Sequence, residues 1–254
     1  MKRAWCCGMV GILFLCFFAR AALASGEQWE TKVALYSWLA GQKGTVATLP
    51  GLPSTDIDVD FFDDILGNIN GALSLYAETR KGRWGAMADI VYSDIEDEDA
   101  TPYRLLWQAV TSRTKSWIVS AAGQYRLVGN DRTFMDAFGG VRYWSVDSQL
   151  SLTGGPAADR KIANTEDWLD PMVGFKGQRY LDASNIFING GLALGGFGMG
   201  SDFMWDAWAN LGYQWTRTLA ITLGYRYLDV DYEKDDFLYD VAQQGLVLGL
   251  GWQF

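Results

Sequence analysis

The sequence predicts an all-β chain closed into a single antiparallel transmembrane barrel of about ten strands, a count that the pattern alone leaves between eight and twelve. Three observations carry this expectation. First, the last ten residues alternate without a break. Leu246, Leu248, Leu250, Trp252 and Phe254 share one face, while Gly245, Val247, Gly249, Gly251 and Gln253 share the other. A period of two belongs to a strand whose sides meet different surroundings, here an apolar exterior and a small or polar interior. Second, Lys2 and Arg3 precede an apolar run from Ala4 to Ala19, and Ala22-Leu23-Ala24 supplies a small-residue cleavage pattern. That pattern is a secretory signal peptide, residues 1–24, released before Ser25. Its 16-residue apolar run is shorter than the ~20 residues a membrane-spanning helix needs. Third, aromatic residues make up 15% of the chain and glycines number 29, while mean hydropathy is near zero. Lipid-facing and lumen-facing residues average out in this way along barrel strands. A soluble antiparallel sandwich also alternates, but the leader and the terminal aromatic favour the barrel.

Residues 25–254 then read as one domain of alternating runs separated by turn residues. The first run is Trp29–Ala40. The second, Ile69–Arg80, turns Leu73, Leu75 and Ala77 outward and Ser74, Tyr76 and Glu78 inward. Lys81-Gly82 leads into a third run, with Trp84, Ala86, Ala88, Ile90 and Tyr92 on one face and Met87, Asp89 and Ser93 on the other. A fourth spans Ser116–Leu127 and a fifth Thr133–Asp147, with Ala137, Gly139, Val141 and Tyr143 outward. The sixth is Trp168–Tyr180, the seventh Ile186–Phe197 and the eighth Met204–Trp215. A ninth starts at Leu219 and faces lipid with Ile221, Leu223, Tyr225 and Tyr227; the terminal run is the tenth. The gaps near residues 81, 130, 183 and 217 are tight, as periplasmic turns are, and the gaps at 41–68, 95–115, 148–167 and 230–241 are long, as outer loops are. Within the first loop, Asp56 to Phe61 alternates like a further strand, and Phe61 to Leu66 is expected to form a small helical turn.

The inward positions carry charge of both signs: Glu78, Asp89, Asp136 and Asp206 against Arg126, Arg142, Lys176 and Arg226. Two readings follow. The charges pair with one another and replace an apolar core, or they line a narrow conduit as charged rings do. With Lys2, Arg3 and Arg20 removed in the leader, 18 basic residues face 30 acidic ones, a net charge of −12. Such a balance argues against a nucleic-acid partner. Acidic residues concentrate in the expected outer loops (Asp56 to Asp64, Asp94 to Asp99, Asp229 to Asp236), beside anionic lipopolysaccharide. Loose calcium or magnesium association is expected there. An EF-hand is excluded, because Phe61 and Gly67 stand where its glycine and glutamate belong. The glycine-rich run Gly190–Gly200 is followed by an alternating strand rather than a helix, so it is not a phosphate loop. All three cysteines lie in the leader, leaving no thiol or disulfide in the released chain.

Several short motifs add a resemblance. Tyr36, Trp38, Leu39 and Gly41 open the chain, and Glu78, Arg80, Lys81, Gly82 and Trp84 form a hairpin. With these the chain resembles an uncharacterised group of Gram-negative outer-membrane barrels, and more distantly the OmpA- and OmpW-type barrels. The ending, with Gly249, Trp252 and Phe254, resembles the carboxy-terminal assembly signal of such barrels, although Val247 replaces the polar residue usual at its start. The resemblance implies an outer-membrane location, contact with lipid and lipopolysaccharide, and recognition by the barrel assembly machinery through the last strand. It implies no activity and no cofactor. The sequence contains no histidine. Omptin-type proteases, lipid A deacylases and palmitoyl transferases, barrels of similar size, all depend on one, since such chemistry needs a base titrating near neutrality. The expected role is therefore non-enzymatic: a structural or surface-interaction barrel with a largely closed, salt-bridged lumen, or else a narrow cation-favouring channel for small solutes. A barrel enzyme is the distant third.

Overall fold

The computed structural model of the protein describes residues 29–254 except 63–66, 68, 101–108, 131, 155–157 and 183. The leader at 1–24 and most of the helical turn expected at 61–66 lie outside the described residues. Ten long strands close the barrel: β1 (Glu30–Ala47), β3 (Ile69–Lys81), β4 (Trp84–Ala100), β5 (Ala109–Gly129), β6 (Thr133–Thr153), β7 (Arg160–Tyr180), β8 (Ile186–Gly195), β9 (Phe203–Gln214), β10 (Leu219–Lys234) and β11 (Phe237–Gln253). The short β2 (Thr55–Val59) is the strand extension expected within the first loop. Sequential neighbours pair antiparallel all the way round, and β11 returns to β1 from Lys32–Gln253 to Ala47–Leu238. Closure leaves no free edge in the membrane, where an unpaired backbone group has no water to turn to. The lower half of β1 pairs with β3 (Glu30–Arg80 to Tyr36–Ser74), and its upper half pairs with β2 (Gln42–Val59 to Val46–Thr55).

The period of two sorts the faces. Outward aromatics form two belts. The lower contains Trp84, which lies against Tyr125 at 4.8 Å between ring centres, together with Tyr213, Trp215 and Phe254. The upper contains the pairs Tyr92–Trp117 and Trp205–Tyr227, with ring centres 4.5 and 4.7 Å apart, and Tyr143. Exposed Val141, Val173, Leu192, Leu211, Leu223 and Leu248 lie between them. Trp84 and Tyr92 stand on one strand, roughly 20 Å apart along the barrel axis at the usual rise and tilt, close to the expected height of the apolar band.

The strands run further than their alternation suggests. β5, β6 and β7 each have 21 residues, roughly twice the 9–11 a tilted strand needs to cross. Segments 95–100, 109–115, 148–153 and 160–167, read from sequence as outer loops, are strand extensions, and only Asp235 and Asp236 connect β10 to β11. Above the membrane the outward face of a strand no longer meets lipid and turns polar. The contrast between faces fades while the backbone ladder continues from Asp94–Lys115 to Ala100–Ala109. The acidic clusters at 94–99 and 229–233 therefore stand on strands rather than in loops.

Above the membrane midpoint the lumen is dry. Met204, Leu228, Val230 and Val241 are fully buried there, and Trp168 stacks between Trp144 and Tyr232 with ring centres 5.5 and 4.1 Å away. Inward glycines let rings lie flat against the wall lower down. A Cβ at Gly212 would overlap Phe187, and one at Gly191 would overlap Trp208. β8 and β9 are short, and β7 pairs with β8 only up to Met172–Gly195, so the wall is low at that hairpin. The aromatic stack and the turn at 196–202 fill the space behind it. Truncating its central ring tests this packing. Trp168→Ala should lower the unfolding free energy in urea and lipid vesicles by about 3–5 kcal/mol, with the exposed Met199→Ser near zero. A loss below about 1 kcal/mol for Trp168→Ala would show that the stack does not hold the upper barrel.

Candidate functional site

The inward faces of the lower strands converge on a belt of buried charge. Each of three carboxylates sits between two bases. Glu78 is paired with Lys176 and, at 3.5 Å, with Lys32, and it accepts a 2.7 Å hydrogen bond from the Tyr76 hydroxyl. Asp136 pairs with Arg80 and Arg126, both at 2.5 Å. Asp206 accepts from Arg142 at 2.7 Å and from Arg226 at 2.7 and 3.0 Å. Asp89 joins the last cluster through Arg226 at 3.2 Å and receives a 2.6 Å hydrogen bond from Tyr36. Paired and hydrogen-bonded geometry of this kind is what allows charge to remain buried, since an isolated ion in a low-dielectric interior is costly.

All eight lumen charges singled out in the sequence point inward and take part in this belt. Two further members, Arg80 and Lys32, belong to it as well. Arg80 neighbours the turn at Lys81 and Gly82, at the periplasmic end of its strand. It is nonetheless buried and reaches Asp136 across the lumen. Its parity with Glu78 was the available signal. The belt's described charges are thus six bases and four acids, the opposite sign to a cation-favouring lining.

Higher up, Asp170 has a different environment. It is fully buried and held by neutral donors: Trp144 Nε1 at 2.7 Å, the Ser201 backbone N–H at 2.6 Å and the Ser201 hydroxyl at 2.8 Å. Trp168 Nε1 in turn donates to the Ser201 hydroxyl at 2.9 Å. This network ties the turn at 196–202 to β7 and fixes the two stacked indoles.

Two cavities flank these layers. The lower, of about 270 Å³, opens among the periplasmic strand ends and reaches up to the belt. Lys32, Gln178, Tyr180, Gln214 and Gln253 lie near its mouth; Arg142, Asp206 and Arg226 lie at its head. The upper, of about 190 Å³, lies under the first outer segment and is lined by Trp38, Phe61, Val91, Ile118 and Gln243. Phe61 is buried there, just past β2. Among the described residues no group of three or more acidic side chains is arranged to hold a metal ion.

On the outer surface, just past the upper aromatic belt, Arg113 grips Asp94 through Nε and Nη2 at 2.8 and 2.7 Å, with Glu96 at 3.2 Å from the same guanidinium. On the neighbouring wall Asp231 stands directly across from Asp240. Burial, and then the charge of Asp240, raise the Asp231 carboxyl above its ordinary range.

No family model matches the sequence, and no curated protein matches it. Among solved structures the chain is similar to the outer membrane protease OmpT of Escherichia coli, with a TM-score of 0.60 and 9% identity over 92% of this chain and 99% of that one. The translocator domain of the autotransporter NalP from Neisseria meningitidis gives 0.46 at 12% identity, covering 96% and 95% of the two chains. Ail of Yersinia pestis gives 0.35 at 13%, covering 90% and 100%. Of these three superpositions the first is close enough to define a fold, and it agrees with the closed antiparallel wall. The protein has the closed antiparallel β-barrel fold that the outer membrane protease OmpT also has.

The Asp94–Arg113 grip makes the outer wall sensitive to acid. Hydrogen bonds from Arg113 hold the Asp94 carboxyl below the usual range. The stability this adds is present above the unfolded carboxylate value of about 3.9 and is lost as pH falls through the lower folded value. Hydrogen exchange should show the upper β4–β5 amides losing protection as the pH drops below about 4, and Arg113→Gln should remove that dependence. Equal pH dependence in the variant would mean that other groups control this wall.

Proposed function

We propose that this protein is a non-conducting, non-enzymatic outer-membrane barrel that presents a tall β-sheet wall outside the cell, in a structural or surface-interaction role. The observation that carries this reading is the filling of the lumen. Above the charged belt every inward position on β10 and the upper β11 is bulky and buried, from Leu228 through Tyr232 and from Phe237 through Val241. Trp144, Trp168 and Met204 close the cross-section from the opposite strands. On this side of the barrel the packing stands directly above the lower cavity, and Tyr36 separates that cavity from the upper one.

Catalysis finds little support in the same lumen. Glu78, Asp136 and Asp206 are each held by two bases, Asp89 by Arg226 and Tyr36, and Asp170 by neutral donors, so these carboxylates are already engaged, and the chain has no histidine to replace them. The likeness to a protease concerns the fold, which does not fix activity. The strand extensions support a role at the surface, because a wall of paired strands holds its outer face rigidly where loops would not. We further read residues 1–24 as a leader removed on export. Gly249, Trp252 and Phe254 lie on the closing strand that the assembly machinery would engage. Phe254 is bonded to Thr31 through both backbone groups, at 2.8 and 3.2 Å, and so sits at the seam.

Single-channel recording in a planar bilayer tests the central point. Protein shown to be folded by its heat-modifiable gel mobility should give no steps. Steady current from the same protein would refute the closed lumen, and cation selectivity would revive the conduit reading.

A further inference from the structure

The charge belt is unequal, and the surplus faces the periplasm. Glu78, Asp136 and Asp206 each serve two bases, and only Arg226 has a second acid, Asp89. Six bases against four acids leave an excess of two positive charges among the described belt residues, inside a chain whose formal net charge is −9. Uncompensated charge away from bulk water is unfavourable unless a counter-charge approaches. The lower cavity is where one can. Lys32 stands at its mouth with its side chain 30% exposed, the most accessible base of the belt. Its ammonium lies 5.0 Å from the centre of the Phe134 ring, and the Arg126 guanidinium lies 4.3 Å from the same ring. Two of the belt's bases thus converge on one aromatic side chain at the entrance.

Between the entrance and the charged head the lining is largely apolar. Phe134, Phe138, Phe187 and Trp208 supply aromatic surface there. An acidic head beside a compact apolar body matches such a lining, because pockets of this kind bury the body and orient it with a few polar groups. At about 270 Å³ the space is far larger than one water requires.

We propose that this periplasm-facing cavity is a binding site for a small organic anion, its acidic group held by Lys32 and its apolar body against Phe134, Phe138 and Trp208. The site needs no passage through the barrel, so it stands or falls separately from the closed lumen.

Purified full barrel in detergent, titrated with benzoate, inorganic phosphate and benzylamine, tests it through tryptophan fluorescence and calorimetry. Benzoate should bind saturably, phosphate at least tenfold more weakly, and benzylamine not at all. Lys32→Gln should weaken benzoate at least tenfold, while Lys32→Arg retains it, with the heat-modifiable mobility of both variants unchanged. Absence of saturable benzoate binding would overturn the proposal. So would equal binding of benzylamine, phosphate as tight as benzoate, or benzoate affinity untouched by Lys32→Gln in folded protein.

Discussion

A barrel of ten strands has to fill its own interior, and here the lower half does so with charge. Inward positions alternate with lipid-facing ones, so they cannot all be apolar without erasing the contrast that orients the strands. The solution is a carboxylate shared by two bases, used three times at Glu78, Asp136 and Asp206. Each cluster joins strands that are not neighbours. Lys176 on β7 reaches Glu78 on β3, and Arg142 on β6 reaches Asp206 on β9. The charges thus act as struts across the lumen, where hydrogen bonds of the sheet act only around its circumference.

The upper half uses a different chemistry because it has to exclude water rather than tolerate it. There Asp170 is satisfied by three neutral donors, the Trp144 indole and the backbone N–H and hydroxyl of Ser201, instead of a base. Its role is to orient Trp144 and Ser201, which carry Trp168 with them. The dry stack then supports the low wall at β8 and β9, where the ladder from β7 stops at Met172. Ion-paired packing below and aromatic packing above divide the described lumen into two chemically different halves.

Much of this was legible in the sequence, and the limits have physical causes. Period-two alternation placed the strand cores, the lipid-facing aromatics and eight inward charges, because membrane and lumen impose opposite demands on successive residues. It failed above the membrane, where the backbone from Asp94 to Ala100 still pairs with β5 but no lipid imposes the alternation. Arg80 follows the parity of Glu78, yet its closeness to a Gly82 turn with φ of 61° drew it towards the surface. Which base meets which acid depends on how far the closed sheet is sheared, and no local period encodes that. The Trp144–Trp168–Tyr232 stack is likewise spread over three strands whose heights match only once the barrel closes.

The central claim is that charges paired across the lumen hold the barrel together. A double-mutant cycle on Arg142 and Asp206, which stand on the non-adjacent strands β6 and β9, measures it directly, using Arg142→Gln, Asp206→Asn and the combined variant in urea and lipid vesicles. Cross-lumen pairing predicts a coupling above about 1.5 kcal/mol, with the double variant less destabilised than the two single losses combined. A coupling near zero would mean that the belt is a lining of independent charges and that the wall alone sustains the fold.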